Sequence, residues 1–236
     1  METSLYKVFY EKSPHKMESL LPLTDNKLVT FLNPYYLECL ADRTQLYEKF
    51  DYIGSDAMLP VVLNQLFKRK KTVRISFDMT SLAKVLFSWL ETTGKGVYFV
   101  GSKQEYLERF VQVIQEHFPH LQIKGWHYGY IKGNFEEVRC LISASKTDVV
   151  VIGMGAPLQD EFAVYLRERG FLGSVYTCGG FIHQTVNRIN YYPYWIDRFN
   201  LRFLYRIVKE PYVLKRLICY YPRFILKYSW FLWRKV

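Results

Sequence analysis

The stretch Thr147 to Phe162, TDVVVIGMGAPLQDEF, carries the residue pattern with the plainest chemical use. Val149 to Ile152 is a continuous β-branched run, the pattern of a strand buried on both faces. Gly153-Met154-Gly155-Ala156-Pro157 ends it, and two glycines there let the backbone turn tightly and lie close to a ligand. Pro157 suits the first turn of a following helix, with the polar Gln159-Asp160-Glu161 at its start. A strand, a small-residue loop and a helix N-terminus together make a site for an anion such as a phosphate or diphosphate. The loop lacks the GxxxxGK[ST] of an ATP-binding P-loop, and a plain strand-to-helix connection has the same appearance.

The elements that would position such a site alternate along the chain. Strands are expected at Lys27 to Leu32, Val73 to Phe77, Gly96 to Val100, Leu121 to Trp126, Val149 to Ile152 and Ser174 to Thr177. Helical patterns lie between them: Tyr35 to Phe50, Met58 to Phe67, Leu82 to Leu90, Gln104 to Phe118, Phe135 to Ala144 and Glu161 to Arg169. Residues before about Asp25 show no clear periodicity. Repeated alternation with short loops predicts an α/β fold, a Rossmann-like parallel sheet with helices on both faces. In such sheets the ligand lies outside the carboxyl ends of the strands. That rule selects Asn33, Asp56, Asp78, Gly101, Tyr130, Gly155, Gln159 and Gly180, the last within a second small-residue turn, Cys178-Gly179-Gly180.

Half of the 236 residues are apolar and 18% are aromatic, enough for one large core. Four scattered cysteines form no CxxC pair and have no nearby histidine at metal-ligand spacing, which points to reduced thiols in a cytosolic protein. The opening METSLYKVFYEKSPHKMESL is polar and mixed in charge, unlike a signal peptide. The net charge of +10 is uneven: from Arg198 onward ten residues are basic and only Glu210 is acidic, so this segment carries +9 of it. Its bases are therefore a local matter of partner choice.

That segment also interleaves Trp, Tyr, Phe and aliphatic residues with the bases. Arg198, Arg202, Arg206 and Lys209 make one helical stripe, and Pro211 and then Pro222 are expected to break the helices. Arg223 and Lys227 interrupt the apolar run, so no membrane-spanning helix is expected. Basic, aromatic amphipathic segments lie in the headgroup region of anionic membranes. A helix pair packed on the core with a basic outer face is the other structural reading. Nucleic acid fits basic-plus-aromatic composition, but the apolar load is high for a solvated groove, and no nucleic-acid partner is expected. The division that follows is an α/β core over 1–197 and a basic, aromatic C-terminal helical appendage over 198–236.

Several of these stretches, in this order, resemble the bacterial WecG/TagA/CpsF glycosyltransferases, which build cell-surface polysaccharides. Gly153 to Phe162 is similar to the family's Gly-x-Gly-Ala-Pro-x-Gln-Glu stretch, and Gly179-Gly180 through Tyr191-Tyr192-Pro193 to its Gly-Gly turn and following segment. Leu201 to Pro211 resembles its Leu-Tyr-Arg stretch that ends in Glu-Pro. Asn33-Pro34, Asp56-Ala57 and the loop His127 to Ile131 match further motifs, so the resemblance runs from about residue 28 to 216. Departures are Phe31 where the family has Thr (Thr30 is adjacent), Ala57 for Gly, Asp160 for Glu, and His183 for an Asp after the Gly-Gly turn.

The resemblance implies transfer of a sugar from a UDP-sugar to a polyprenyl-diphosphate-linked saccharide, with inversion at the anomeric carbon. Such a transfer needs a base for the acceptor hydroxyl, a role the resemblance gives to Asp56, with Asn33 and Gln159 orienting sugar or acceptor. Thr30, Arg74, Asp78, Gly101, Tyr130, Gly153, Gly155, Ala156, Pro157, Gly179, Gly180, Arg206 and Arg216 are the implied substrate- and UDP-binding residues. The Gly155 amides, the helix dipole and the arginines would balance the diphosphate. No DxD follows a strand, so neither cofactor nor obligatory metal is expected. The expected location is the inner face of the cell membrane, held peripherally by the C-terminal segment. Two other classes remain open. One is a nucleotide-binding oxidoreductase, which the lack of GxGxxG disfavours. The other is an inactive membrane-surface relative, which Ala57 and His183 keep in view.

Overall fold

The computed structural model describes residues 4–186, 189, 196, 205 and 212–234. Six strands, β1 (Leu28–Leu32), β2 (Tyr52–Ser55), β3 (Gly96–Gly101), β4 (Gln122–His127), β5 (Val149–Gly153) and β6 (Ser174–Thr177), form one sheet in the order β2-β1-β6-β5-β3-β4. Every pairing is parallel. The Rossmann-like α/β class read from the alternation is the one observed.

The strand sequences explain the double burial. Leu28, Tyr98, Val150 and Val175 face one hydrophobic cluster, while their neighbours Val29, Phe99, Val151 and Tyr176 face the other. On the first face lie α1 (Leu5–Lys12), α2 (Pro34–Cys39), α3 (Thr44–Glu48), α4 (Met58–Leu66), α7 (Phe135–Ser145), α8 (Leu158–Glu168) and the C-terminal helix α10 (Tyr212–Arg234). On the second lie α5 (Leu82–Thr93), α6 (Gln104–His117) and α9 (Phe181–Thr185).

Four expectations are corrected. The unpatterned N-terminal region holds α1, whose Leu5, Val8 and Phe9 are buried; one turn of apolar spacing is too short to register as a period. Tyr35 to Phe50 is not one helix but α2, a 3₁₀ turn at Ala41–Arg43, and α3; the bend lets Leu37 and Tyr47 both reach the core. Val73 to Phe77 is not a strand: it meets the sheet only by the bridge between Ser55 and Arg74. Pro222 does not break a helix, because α10 runs through it. Pro222 is exposed there, so the backbone carbonyl it leaves unpaired can be hydrated, which lowers the cost of an interior proline.

α10 packs on the core through Phe224, Tyr228 and Leu232, all fully buried, one turn apart. Tyr228 Oη donates to Asn64 Oδ1 at 3.0 Å, and Lys227 Nζ donates to Glu38 at 3.0 Å, a carboxylate that Tyr6 also reaches. Rings of Tyr6, Phe9 and Tyr10 from α1 meet those of Phe224, Tyr228 and Phe231. The opposite face of α10 shows Ile218, Leu226, Trp230 and Trp233 to solvent. No described helix is long and apolar enough to cross a membrane.

Candidate active site

The carboxyl ends of β1, β2 and β6 open into a cavity of about 510 Å³. Each wall follows from a local rule. β1 ends at Asn33, whose side-chain Oδ1 accepts the Tyr36 N–H at 3.2 Å and caps α2. With its oxygen so engaged, the Asn33 amide NH2 is the donor left to face the cavity. β2 ends at Asp56, whose backbone N–H donates to Leu32 O at 3.0 Å, which brings the two strand ends side by side. The segment after α4 returns along β2 through Ile75 N–H to Ser55 O at 3.0 Å, and so sets Arg74, Ser76 and Asp78 on the same wall.

Within that wall Arg74 Nη2 donates to Ser76 Oγ at 2.8 Å and stands 3.9 Å from Asp78. Asp78 also accepts from Ser76 Oγ and from the Thr80 N–H and hydroxyl. The opposite wall is α10, which supplies Arg216, Leu217 and Tyr221. The Arg216 guanidinium lies 4.2 Å from the centre of the Tyr35 ring, a cation–π contact, and Tyr35 meets Tyr220 edge to face. Burial raises the pKa of Tyr36 above its ordinary value, and the negative charges of Asp160 and Asp56 add to this while Arg216 opposes it.

Gln159, 4% exposed, lies at the start of α8. Its Oε1 accepts both the Gly155 N–H and the Gly179 N–H, each at 3.1 Å. One side chain therefore ties the loop after β5 to the Gly179-Gly180 turn after β6.

The cavity brings together Asn33, Asp56, Gln159, Arg74, Asp78, Gly179, Gly180 and Arg216. It does not include Thr30, Gly101, Tyr130, Gly153, Gly155, Ala156 or Pro157. Thr30 is fully buried, hydrogen-bonded to Asp160 and Thr177. In the loop Gly153 to Pro157, Gly155, at φ +78°, gives its N–H to Gln159. The first turn of α8 also carries Asp160 and Glu161, whose acidic side chains already suit the helix dipole. Gly101 and Gly153 are needed for close approach, since a Cβ on Gly101 would sit 2.3 Å from Gly153 O. Tyr130 is 68% exposed beyond β4. His183 stacks edge to face on Tyr106, with ring centres 4.7 Å apart. Arg206, and with it the Leu201 to Pro211 stretch apart from Tyr205, lies outside the described residues.

The sequence reading missed the aromatic lining, Phe31, Tyr35, Tyr36, Phe181 and Tyr221. Only the adjacency of Tyr35-Tyr36 to the strand-end Asn33 pointed to it. Among the described residues no three His, Cys, Asp or Glu side chains gather as metal ligands.

The model of the glycosyl transferase WecG/TagA/CpsF family matches residues 2–236. A Shigella boydii protein, UDP-Gal:alpha-D-GlcNAc-diphosphoundecaprenol beta-1,4-galactosyltransferase, is 34% identical over 87% of this chain and 89% of its own length. An N-acetylglucosaminyldiphosphoundecaprenol N-acetyl-beta-D-mannosaminyltransferase of Bacillus spizizenii is 25% identical over 71% of this chain and 64% of its own. A Staphylococcus aureus protein of the latter name is 27% identical over 48% of this chain and 44% of its own length. The chain belongs to the WecG/TagA/CpsF family of glycosyltransferases.

Proposed function

We propose that this glycosyltransferase moves a sugar, with inversion, from a UDP-sugar to a saccharide on a polyprenyl diphosphate during bacterial surface polysaccharide synthesis. The observation that carries the reading is one cavity lined by a carboxylate, Asp56, two amide side chains, Asn33 and Gln159, and two guanidinium groups on facing walls, Arg74 and Arg216. Asp56 takes the proton of the acceptor hydroxyl as its oxygen attacks the anomeric carbon. UDP departs from the opposite face with the bonding electron pair, and the arginines balance the charge that develops on its diphosphate. Asn33 donates to a sugar oxygen; Gln159 holds the Gly179-Gly180 turn in place. The strand ends from β6 toward β3, as far as the exposed ring of Tyr130, receive the nucleoside. No metal enters this scheme, and activity should survive EDTA.

The relatives suggest the substrates to try first: UDP-galactose as donor, and GlcNAc-diphosphoundecaprenol as acceptor. The lipid acceptor also gives the outer face of α10 a purpose. Ile218, Leu226, Trp230 and Trp233, set among Lys215, Arg223 and Arg234, form a basic apolar surface suited to an anionic membrane. The same helix carries Arg216 into the cavity, so a peripheral seat on the inner membrane face would bring the site to its acceptor. In this scheme residues 1–197 are the catalytic core and 198–236 the membrane-seeking appendage.

UDP release is the test, with membranes supplying acceptor and a panel of UDP-sugars. Release with one donor that collapses in Asp56→Asn supports the reading; no release with any donor overturns it. Vesicle flotation of the full chain against Trp230→Ser/Trp233→Ser tests the membrane seat, and equal binding by both to anionic vesicles overturns that part.

A further inference from the structure

Asp160 is a fully buried carboxylate in contact with neutral partners. Its Oδ1 accepts the Thr30 hydroxyl at 2.6 Å and its Oδ2 accepts the Tyr47 hydroxyl at 3.0 Å. Thr30 Oγ1 is in turn 2.8 Å from Thr177 Oγ1. A buried charge without an ion-pair partner is expensive for a fold to keep. The groups that face it do not offset that cost. α3 brings Tyr47, α2 brings the phenol of Tyr36, and α8 itself brings Glu161, a like charge held by Arg43 at 3.0 Å. β1 and β6 bring only the threonines. Burial with a like charge nearby raises the Asp160 carboxyl to about 7, against the pull of the two hydroxyls.

The position of these groups gives the carboxylate a use. Thr30 lies on β1 three residues before Asn33. Thr177 is on the cavity wall at the end of β6, two residues before Gly179, and Asp160 adjoins Gln159. A hydroxyl has one proton to give. While Asp160 is ionised, Thr30 spends its proton on Oδ1, so the Thr30–Thr177 contact must be filled by the proton of Thr177. Once Asp160 gains a proton from solvent it can donate to Thr30; the Thr30 proton then turns to Thr177, and the Thr177 proton is released from the contact.

We propose that Asp160 is a positioning residue for sugar transfer: ionised, it fixes the direction of the Thr177–Thr30–Asp160 chain and so holds Asn33, Gly179 and Gln159 in the arrangement that receives the reacting sugars. This rests on the transferase reading above. Protonation of Asp160 reverses the chain and slows transfer while the donor still binds.

The experiment follows UDP release against pH with the donor that turns over, for wild type, Asp160→Asn, Thr177→Val and Thr177→Ser. Wild-type kcat should fall as pH drops through about 7 with little change in KM for the donor. Asp160→Asn and Thr177→Val should lose that acid limb and about tenfold or more in kcat; Thr177→Ser, which keeps the hydroxyl, should keep both. An acid limb left in place in Asp160→Asn overturns the proposal. A second arm needs no substrate. The folded protein holds a proton on Asp160 that the unfolded chain, near its ordinary 3.8, has released. Stability from this group is therefore full below about 4 and is lost as pH rises toward 7. The stability gap between wild type and Asp160→Asn should change across that window, and a gap constant with pH overturns the proposal on its own. Absence of UDP release by the wild type with every donor overturns the transferase reading instead.

Discussion

The carboxyl ends of β1, β2 and β6 and those of β3, β4 and β5 belong to one sheet, yet they are finished in opposite ways. At the first set, side chains project into open space: Asn33, Asp56 and the Gly179-Gly180 turn border a cavity wide enough for a sugar. At the second set, backbone touches backbone. Ser102 N–H donates to Gly153 O at 3.2 Å and Gly129 N–H to Ser102 O at 2.9 Å, and a Cβ on Gly129 would meet Gly101 Cα at 2.8 Å. Polar residues just past β1 and β2 therefore border the cavity, whereas the glycines of β3 and β5 allow a close approach that lets the loops lie flat. Gln159 joins the two halves, because its one oxygen serves an amide from each.

Substitutions on either side of that divide should fail in different currencies. Asp56→Asn should lower turnover by about a thousandfold, about 4 kcal/mol of transition-state stabilisation, with an unchanged melting curve; a matching loss of stability would erase the distinction. Gly101→Ala should do the reverse. Its φ of +154° and the contact with Gly153 predict about 3 kcal/mol lost in urea unfolding, and wild-type stability would show the loops are not packed as tightly as described. Gln159→Ala strips the acceptor from two N–H groups and should cost about 2 kcal/mol of stability together with a fall in kcat. A fall in only one of the two would assign Gln159 to one side. Arg216→Ala should be mildest for the fold, under about 1 kcal/mol, because it removes a partly exposed contact with Tyr35. Its larger effect should appear in donor or acceptor KM, measured by UDP release.

Much of the frame was legible because strands buried on both faces write themselves as apolar runs. Val149 to Ile152 and Gly96 to Val100 are such runs, and the residue after each buried strand can then be counted off. Asn33 and Gly180 were selected that way, whereas Asp56 follows only a short apolar step at Ile53 that does not read as a strand. What escaped depends on contacts far apart in the chain. Tyr35 and Tyr36 look like core aromatics until α10 closes over them. Nothing in the residues of the Gly155 loop itself announces that a side chain four residues on takes its amide. Asp160 reads as an ordinary acid in a first helical turn, and nothing in its neighbourhood in sequence announces Tyr47 or Thr30.

The seam between α1 and α10 bears on the order in which the molecule is made. Tyr6, Phe9 and Tyr10 leave the ribosome before the sheet but find their ring partners, Phe224, Tyr228 and Phe231, only after all six strands have been synthesised. The same late segment delivers Arg216 and Tyr221 to the cavity. A nascent chain can thus form its sheet while the apolar side of α1 is still uncovered. The cavity wall that α10 supplies is therefore added only after every strand whose end borders the cavity has been made.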